Sequence, residues 1–416
     1  MRRPELPGVL RSRDFSLLFA GQAVSLLGDG FFQIALAFAV LDISSDRAAL
    51  GYVLAAGSLP LVAFILIGGV WADRLPRQRL MLAADGARMA IQGLLGFLVI
   101  SGHAQIWHLL ALNVLYGSAM AFFQPAATGL IPQLVEGEQL EQANGLLGMT
   151  RSVMMIVGGG LGGVVVDQIG SGGAILADAA TFAASAACLL AMRAVPVAGG
   201  DREPFLRELR AGWREVRSRR WLWLTIGSSA VFLTLYVAPL EVVGPIIAKS
   251  ELGGATAWGL INMSFAVGMT AGGLVAMTRR LSYPMRVSGV LFTITAVSPL
   301  MLAIPAPLPL IMLSFLVEGA AVGLFITTYE TAMQREVPPE ALSRVSAWDW
   351  MGSLAGMPIG LALAGSVIGA FGTRATLVGM AVAGAVLSSL WLGSRDIRAI
   401  GARHEVALTD TSDVRS

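Results

Sequence analysis

Apolar residues are concentrated in long stretches along the chain, and charged residues, glycine and proline gather in the short breaks between them. Twelve such stretches can be delimited: 14–41, 48–72, 78–101, 104–130, 141–166, 173–194, 221–248, 255–278, 286–304, 308–334, 341–370 and 373–394. A helix of about 20 apolar residues crosses a hydrocarbon layer of roughly 30 Å, and each stretch approaches or exceeds this length. The pattern predicts an all-α integral membrane protein with twelve transmembrane helices, which we number as spans 1 to 12.

The composition agrees with this class. The 416 residues are 55% hydrophobic and 13% charged, whereas soluble domains carry about 25% charged residues. Span 1 is too long for the core of a signal peptide, so we expect it to be retained. The single cysteine, Cys188, and three scattered histidines provide neither a disulfide framework nor a metal-ligand spacing. We therefore expect no metal site and no cofactor.

Basic residues divide unequally between alternate breaks. One set of breaks, which includes both ends of the chain, holds 24 lysines and arginines, and the other set holds only Arg47, Lys249 and Arg374. Cytoplasmic loops of membrane proteins carry the excess of Lys and Arg. This asymmetry predicts an even number of spans, with both termini in the cytoplasm.

The second half of the chain repeats features of the first. A shift of 202 residues superposes 123–145 on 325–347 and aligns Gly117 with Gly319. Sequence identity between the two segments is low, but matched glycines and loop features fall at corresponding points, as a parallel repeat of six plus six helices requires. The repeat predicts two halves of six helices each.

We place the two halves at 1–194 and 221–395, joined by the longest connection, 195–220. Part of this connection has the amphipathic spacing of a helix, and we expect it to lie at the cytoplasmic membrane surface on anionic lipid. The remaining residues, 396–416, are expected to form a disordered cytoplasmic tail.

The break between spans 2 and 3 carries a distinctive motif. It reads Gly68-Gly69-Val70-Trp71-Ala72-Asp73-Arg74-Leu75-Pro76-Arg77-Gln78-Arg79. This resembles the signature loop of the major facilitator superfamily, with Pro76 where a glycine is commoner. The resemblance implies a secondary transporter that works by alternating access of two six-helix halves.

The same resemblance implies a gating role for this loop. Asp73 would hold the start of span 11 when the cytoplasmic side is closed, because a carboxylate can accept from free amides at a helix start. The arginines Arg74, Arg77 and Arg79 would reach acidic residues of nearby loops, such as Glu138. The alternative is that the arginines only enforce topology.

Span 3 adds Asp85 and Arg88 at the i,i+3 spacing that lets side chains on one helix face meet. A similar pair occurs in the subfamily that includes bacterial enterobactin and macrolide exporters. We favour a structural role for this pair over a role in transport.

Two glycine-rich runs are expected to permit close helix packing. Their residues are Gly158, Gly162 and Gly163 in span 5, and Gly356, Pro358 and Gly360 in span 11. The span 5 run resembles an antiporter signature of the superfamily, although Gly159 stands where a proline is usual. Span 4 lacks the arginine of the drug–proton antiporter motif, so coupling would use other residues or another ion, or would be absent.

Polar and ionisable side chains within spans are costly, and they are functional candidates for that reason. Those sharing a helical stripe are Gln22, Asp29 and Gln33 in span 1, Asn113, Tyr116 and Gln124 in span 4, and Glu318 and Tyr329 in span 10. The resemblance implies that these spans line a central cavity. We expect Asp29 and Arg151 to be the functional pair of charges, with Glu318 and Asp349 next and Glu330 less important. The alternative is structural hydrogen bonding between helices.

These observations favour a secondary transporter that exports a small hydrophobic or amphipathic molecule, such as a drug, siderophore or secondary metabolite, with protons as a candidate coupling ion. A sensor or channel on the same scaffold and an integral membrane enzyme remain alternatives. The sequence contains no Gly-x-Ser-x-Gly nucleophile elbow that would support an enzyme, and no glycine-rich phosphate-binding loop that would support an ATP-driven pump. Expected partners are the substrate and the lipid bilayer, with no nucleic acid. We expect a monomer in the cytoplasmic membrane of a bacterial cell.

Overall fold

A computed structural model describes residues 8–135, 137–193, 205–278, 284–304 and 306–393 of the chain. These residues form helices and short connections, and no strand occurs among them. The helices of the N-terminal part are α1 (Arg13–Ile43), α2 (Arg47–Arg74), α3 (Arg77–Ile100), α4 (Ile106–Leu134) and α5 (Glu138–Ala191). They are followed by α6 (Phe205–Ser218), α7 (Arg220–Phe232), α8 (Ala238–Glu251), α9 (Ala255–Thr278), α10 (Pro284–Phe292), α11 (Val297–Ala303), α12 (Leu308–Glu336), α13 (Pro339–Leu354), α14 (Met357–Phe371) and α15 (Thr373–Gly393).

Ten helical stretches within the described residues are long and apolar enough to cross a membrane. One of them joins α7 to α8 through a π-helical turn, Leu233–Val237. A shorter apolar stretch, Gly289–Ala303, contains a 3-10 turn, Thr293–Ala296, that connects α10 to α11. Large apolar side chains such as Phe97, Met277 and Leu390 point outward and are more than 60% exposed. Apolar side chains on the outside suit a lipid environment, so the predicted all-α membrane class is confirmed.

Helix α5 spans 54 residues, about twice the length needed to cross a bilayer. It is interrupted at Gly170, where φ is 75° and ψ is 164°. Gly372, between α14 and α15, has nearly the same backbone angles, with φ 81° and ψ 161°. The two glycines lie 202 residues apart, which is the offset of the sequence repeat. This region of φ/ψ is essentially restricted to glycine.

Contacts divide the chain into two units. The described residues of unit 1 are 8–135, 137–193 and 245–263, and those of unit 2 are 205–244, 264–278, 284–304 and 306–393. Within unit 1, α1 packs along α5 and α2 packs along α4.

The same kind of glycine contact recurs inside each unit. In unit 1 a Cβ on Gly117 of α4 would collide with the backbone carbonyl of Gly57 in α2. In unit 2 a Cβ on Gly319 of α12 would collide with the carbonyl of Phe265 in α9. Small residues let helix backbones approach this closely where lipid provides no hydrophobic force between helices.

The two glycine-rich runs also lie at close helix contacts. A Cβ on Gly30 of α1 would come within 2.7 Å of the Cα of Gly158, and a Cβ on Gly162 would come within 2.9 Å of the Gly30 carbonyl. Gly163 faces the backbone of Ala255 in the same way. In unit 2, Gly356 and Gly360 both face Thr234, and Pro358 is buried.

Helix α6 packs against protein. A Cβ on Gly212 would lie 2.9 Å from the carbonyl of Arg344 in α13, and the rings of Trp213 and Trp348 lie 4.9 Å apart. Val216 is fully buried in a cluster that includes Val345. The expected position of this helix on anionic lipid stays a prediction, and the structure adds that part of its apolar face packs against α13. The residues before α6, 194–204, and the predicted tail, 396–416, lie outside the described residues.

The glycine-only backbone at Gly372 gives a direct prediction. Gly372→Ala should lower the free energy of unfolding by about 1–3 kcal/mol, because a side chain is strained at this φ/ψ although the space around it is open. The measurement is the apparent melting temperature of the purified protein in detergent.

Gly369→Ala is the matched control, since Gly369 is also in open space but lies within α14. It should leave the protein unchanged or stabilise it by up to about 1 kcal/mol. Equal melting temperatures for both variants would contradict the assigned backbone strain.

Candidate functional site

Polar residues of α1 and α4 meet inside unit 1. The Tyr116 hydroxyl donates a hydrogen bond to Oδ1 of Asp29 at 2.8 Å, and the Phe32 ring lies 4.9 Å from the Tyr116 ring. The structure thus brings together two candidate side chains from spans 1 and 4. Both are partly buried, so the pair is a polar contact within an otherwise apolar helix interface.

Arg88 of α3 is enclosed almost completely. Its guanidinium forms an ion pair with Asp85 and lies between the rings of Phe123 and Phe182, 4.1 and 4.3 Å from their centroids. The other Asp85 oxygen accepts from the Ser185 hydroxyl at 2.7 Å. Burying two charges costs several kcal/mol per ion, and such a pair persists only when its partners are well placed. This arrangement suits a structural role linking α3, α4 and α5.

Asp178 of α5 is a third buried carboxylate that the sequence analysis overlooked. It is 0% exposed, it accepts from the Thr181 hydroxyl at 3.3 Å, and its Oδ2 has no hydrogen-bond partner of ordinary geometry. The neighbouring Gln92 is equally buried, and its amide atoms also lack such a partner. A Cβ on Gly28 of α1 would collide with Thr181 and Asp178, so the missing side chain allows this approach.

These residues form what we call the ionic cluster: Asp29, Asp85, Arg88, Tyr116 and Asp178. It contains three carboxylates and one guanidinium. Asp29 is close enough to interact electrostatically with Arg88 and with Asp178. With all groups ionised the cluster would carry a net negative charge inside unit 1.

The other unit 1 candidates lie apart from this cluster or serve other contacts. The Asn113 amide is buried and donates to the Val53 carbonyl at 2.6 Å, so it ties α4 to α2. Gln22 and Gln124 are partly buried, and Gln33 is exposed. Among the described hydrogen bonds, none joins Gln22 or Gln124 to the Asp29 carboxylate.

Arg151 differs most from expectation. It is exposed, and it has no ion pair within 4 Å to any described carboxylate. It acts electrostatically on Asp29 from a distance. The direct hydrogen-bond partner of Asp29 is Tyr116, so the structure does not bring Asp29 and Arg151 together as an ion pair.

The loop between α2 and α3 is described in part. Arg77 donates to the backbone carbonyl of Gly129 in α4, and Arg74 and Arg79 are exposed. The side chains of Asp73 and Glu138 lie outside the described residues. Arg77 therefore anchors the start of α3 to α4, a contact that the sequence analysis did not anticipate.

Unit 2 contains a cavity of about 650 Å³. Helices α7, α9, α10, α12, α13 and α15 contribute to its wall. The aromatic lining residues are Phe232, Phe265, Phe292, Phe325, Tyr329, Trp350 and Trp391. Ring centroids of Phe292 and Trp391 each lie 5.0 Å from that of Phe325, in edge-to-face orientation. Cavities of this size and lining are typical of sites for drug-sized ligands.

Three carboxylates line this unit 2 cavity: Glu318, Glu330 and Asp349. Glu318 is 3% exposed, and its Oε1 accepts from the Tyr236 hydroxyl at 2.9 Å. Asp349 accepts from the Tyr329 hydroxyl at 2.7 Å. The candidates Glu318, Tyr329 and Asp349 thus share one cavity, and Glu330, which the sequence analysis ranked lower, lines it as well.

Tyr236 was missed by the sequence analysis. It belongs to the π-helical turn after α7 and is fully buried, and its single hydroxyl proton is shared between the Glu318 carboxylate and the carbonyl of Thr295, 2.6 Å away. A tyrosine within an apolar span, one of only five in the chain, is the signal that could have identified it. No group of metal-binding side chains occurs among the described residues.

Two bacterial efflux proteins are similar in sequence to this chain. Macrolide efflux protein A of Streptococcus pyogenes is 27% identical over 360 residues, covering 84% of this chain and 88% of that protein. Multidrug efflux pump Tap of Mycolicibacterium fortuitum is 26% identical over 385 residues, covering 88% of this chain and 91% of that protein. This agrees with the resemblance to macrolide exporters drawn from the sequence.

Solved transporters share the fold at low identity. The crystal structure of the nucleoside transporter NupG has a TM-score of 0.72 at 14% identity, covering 91% of this chain and 98% of that one. A bacterial homologue of the iron transporter ferroportin, in its inward-facing state, has a TM-score of 0.68 at 15% identity, covering 92% and 99%. The sequence profile of the Major Facilitator Superfamily matches residues 18–348. Because that match spans most of the chain, the protein belongs to the Major Facilitator Superfamily and is a membrane transporter, not an enzyme.

Proposed function

We propose that this transporter exports a small hydrophobic or amphipathic molecule, in the class of drugs, siderophores and secondary metabolites. The observation that carries the substrate class is the 650 Å³ cavity of unit 2, whose wall is mostly apolar and aromatic. The efflux proteins similar in sequence support export as the direction.

Protons are the proposed coupling ion. The ionic cluster holds three carboxylates against one guanidinium, and an uncompensated charge is costly away from water. Proton binding at Asp29 relieves the excess charge, and proton release restores it. Tyr116 is positioned to sense this change through its hydrogen bond to Asp29. A carboxylate that changes charge between two states of the transporter is a means of coupling.

The proposed architecture is twelve spans in two six-helix halves, 1–194 and 221–395, with both termini and the amphipathic linker, 195–220, in the cytoplasm. The break at Gly170 supports counting α5 as two spans, and α10 with α11 supports one more short span. The protein would act as a monomer in the bacterial cytoplasmic membrane. The two halves would alternate access to the substrate site.

The first prediction from the proposed function concerns coupling. A labelled panel of amphipathic compounds first identifies the transported compound. Its uptake into inverted membrane vesicles with an imposed pH gradient should then fall by about 5- to 150-fold in Asp29→Asn. The substitution keeps the size and the hydrogen bond acceptor but removes the charge change. Initial uptake rates with and without the gradient are the measurement.

Glu141→Gln is the matched control, because Glu141 is exposed on α5 and should leave uptake unchanged. Uptake that ignores the gradient and survives Asp29→Asn would remove protons and Asp29 from the mechanism. Absence of transport for every compound would contradict the export function itself.

The second prediction concerns topology. In a Cys188→Ala background, Ser45→Cys should react with a membrane-impermeant maleimide in intact cells, since the α1–α2 connection is predicted to face outward. Ser218→Cys should react only after the membrane is opened, because α6 is predicted to be cytoplasmic. Both serines are exposed, so the side of the membrane decides their reactivity. The reverse pattern would overturn the proposed orientation.

A further inference from the structure

The charges around the unit 2 cavity all have one sign. Glu318, Glu330 and Asp349 line it, and none of its described lining residues is a lysine, an arginine or a histidine. An anionic ligand would meet only like charges in this wall. A cation would be attracted by all three carboxylates, and the attraction is strong where water is excluded.

Glu318 is the most deeply buried of the three. Its Oε1 accepts from Tyr236, whereas Oε2 lies beside the Ser298 hydroxyl without a hydrogen bond of ordinary geometry. It forms no ion pair within the part of the chain that the structure describes. A carboxylate inside a membrane-spanning helix normally has a charged or strongly polar partner. The charged partner that Glu318 lacks among the described residues can be supplied by a ligand.

The aromatic wall suits the rest of such a ligand. Phe232 and Phe292 both line the cavity and meet edge to face at 5.4 Å, and the buried Tyr236 ring stacks against Phe232 at 4.7 Å. Ring faces attract cations within about 6 Å, most strongly where the cation is desolvated. The same rings bury apolar groups of the ligand.

We infer that the unit 2 cavity binds a lipophilic organic cation, with Glu318 as its counter-charge. The ligand class is a compound with a protonated amine, or with a permanently charged centre such as a phosphonium, on an aromatic or aliphatic body. This inference rests on the proposed function for its biological meaning, because it narrows the substrate class of the same cavity. Binding itself can be measured without transport.

The test uses radiolabelled tetraphenylphosphonium and the purified full-length protein in detergent. Wild type should bind this cation, and neutral triphenylphosphine oxide, which presents three of the same rings without the charge, should compete at least about tenfold less well than unlabelled tetraphenylphosphonium. Glu318→Gln should weaken binding of the cation at least about tenfold. Glu318→Asp keeps the charge and should bind more tightly than Glu318→Gln.

Glu141→Gln lies outside the cavity and should bind as wild type does. If Glu318→Gln fails to fold, the comparison of cation with neutral compound on wild type decides the question. Equal competition by the two compounds, or equal binding by wild type and a folded Glu318→Gln, overturns the inference. Charge-dependent binding without transport in vesicles would contradict the export function but not this inference. Transport of neutral compounds without binding of the cation would contradict this inference but not the export function.

Discussion

A hydrocarbon layer offers no hydrogen bonds, and this constraint governs both the backbone and the side chains of this protein. Backbone groups must be satisfied within each segment, so the spanning chain is helical. The described residues depart from regular helix in only a few places, including the π-helical turn before α8 and the 3-10 turn before α11. Tyr236 belongs to the first turn, and its hydroxyl contacts both the carbonyl of Thr295 in the second turn and the Glu318 carboxylate. These two irregular turns therefore lie where buried polar groups find their partners.

The same constraint explains why the two units handle charge differently. In unit 1 an arginine is clamped between two rings and paired with Asp85, and this pair gives the nearby carboxylates a fixed positive neighbour. In unit 2 the carboxylates of the cavity have tyrosine hydroxyls as partners and no described cation beside them. Unit 1 therefore has an internal counter-charge, whereas unit 2 can receive one from outside.

Helical periodicity made much of this accessible from sequence. The stripes on spans 1 and 4 put Asp29 and Tyr116 on inward faces, and the structure joins them by a hydrogen bond. Spacing of three residues likewise anticipated the contact of Asp85 with Arg88. Both inferences depend on positions along single helices, which a sequence contains.

Contacts that depend on how helices pack were not accessible in this way. Asp178 stands alone in an apolar run, and only the missing side chain of Gly28 shows why α1 approaches it. Arg151 also lies in an apolar run, yet its side chain is exposed and makes no ion pair with Asp29. The apolar stripe of α6 has the same pattern whether lipid or α13 covers it. Tertiary packing made the choice in each case.

The paired breaks at Gly170 and Gly372 have an evolutionary consequence. A duplicated chain drifts freely where any side chain is tolerated, but these two positions admit essentially one residue. At the same 202-residue offset Glu318 stands where the first half has Tyr116, and Met380 where it has Asp178. In the proposed repeat the two halves therefore share a backbone feature and differ in chemistry, and this division would let one half serve the proposed driving ion and the other the cargo.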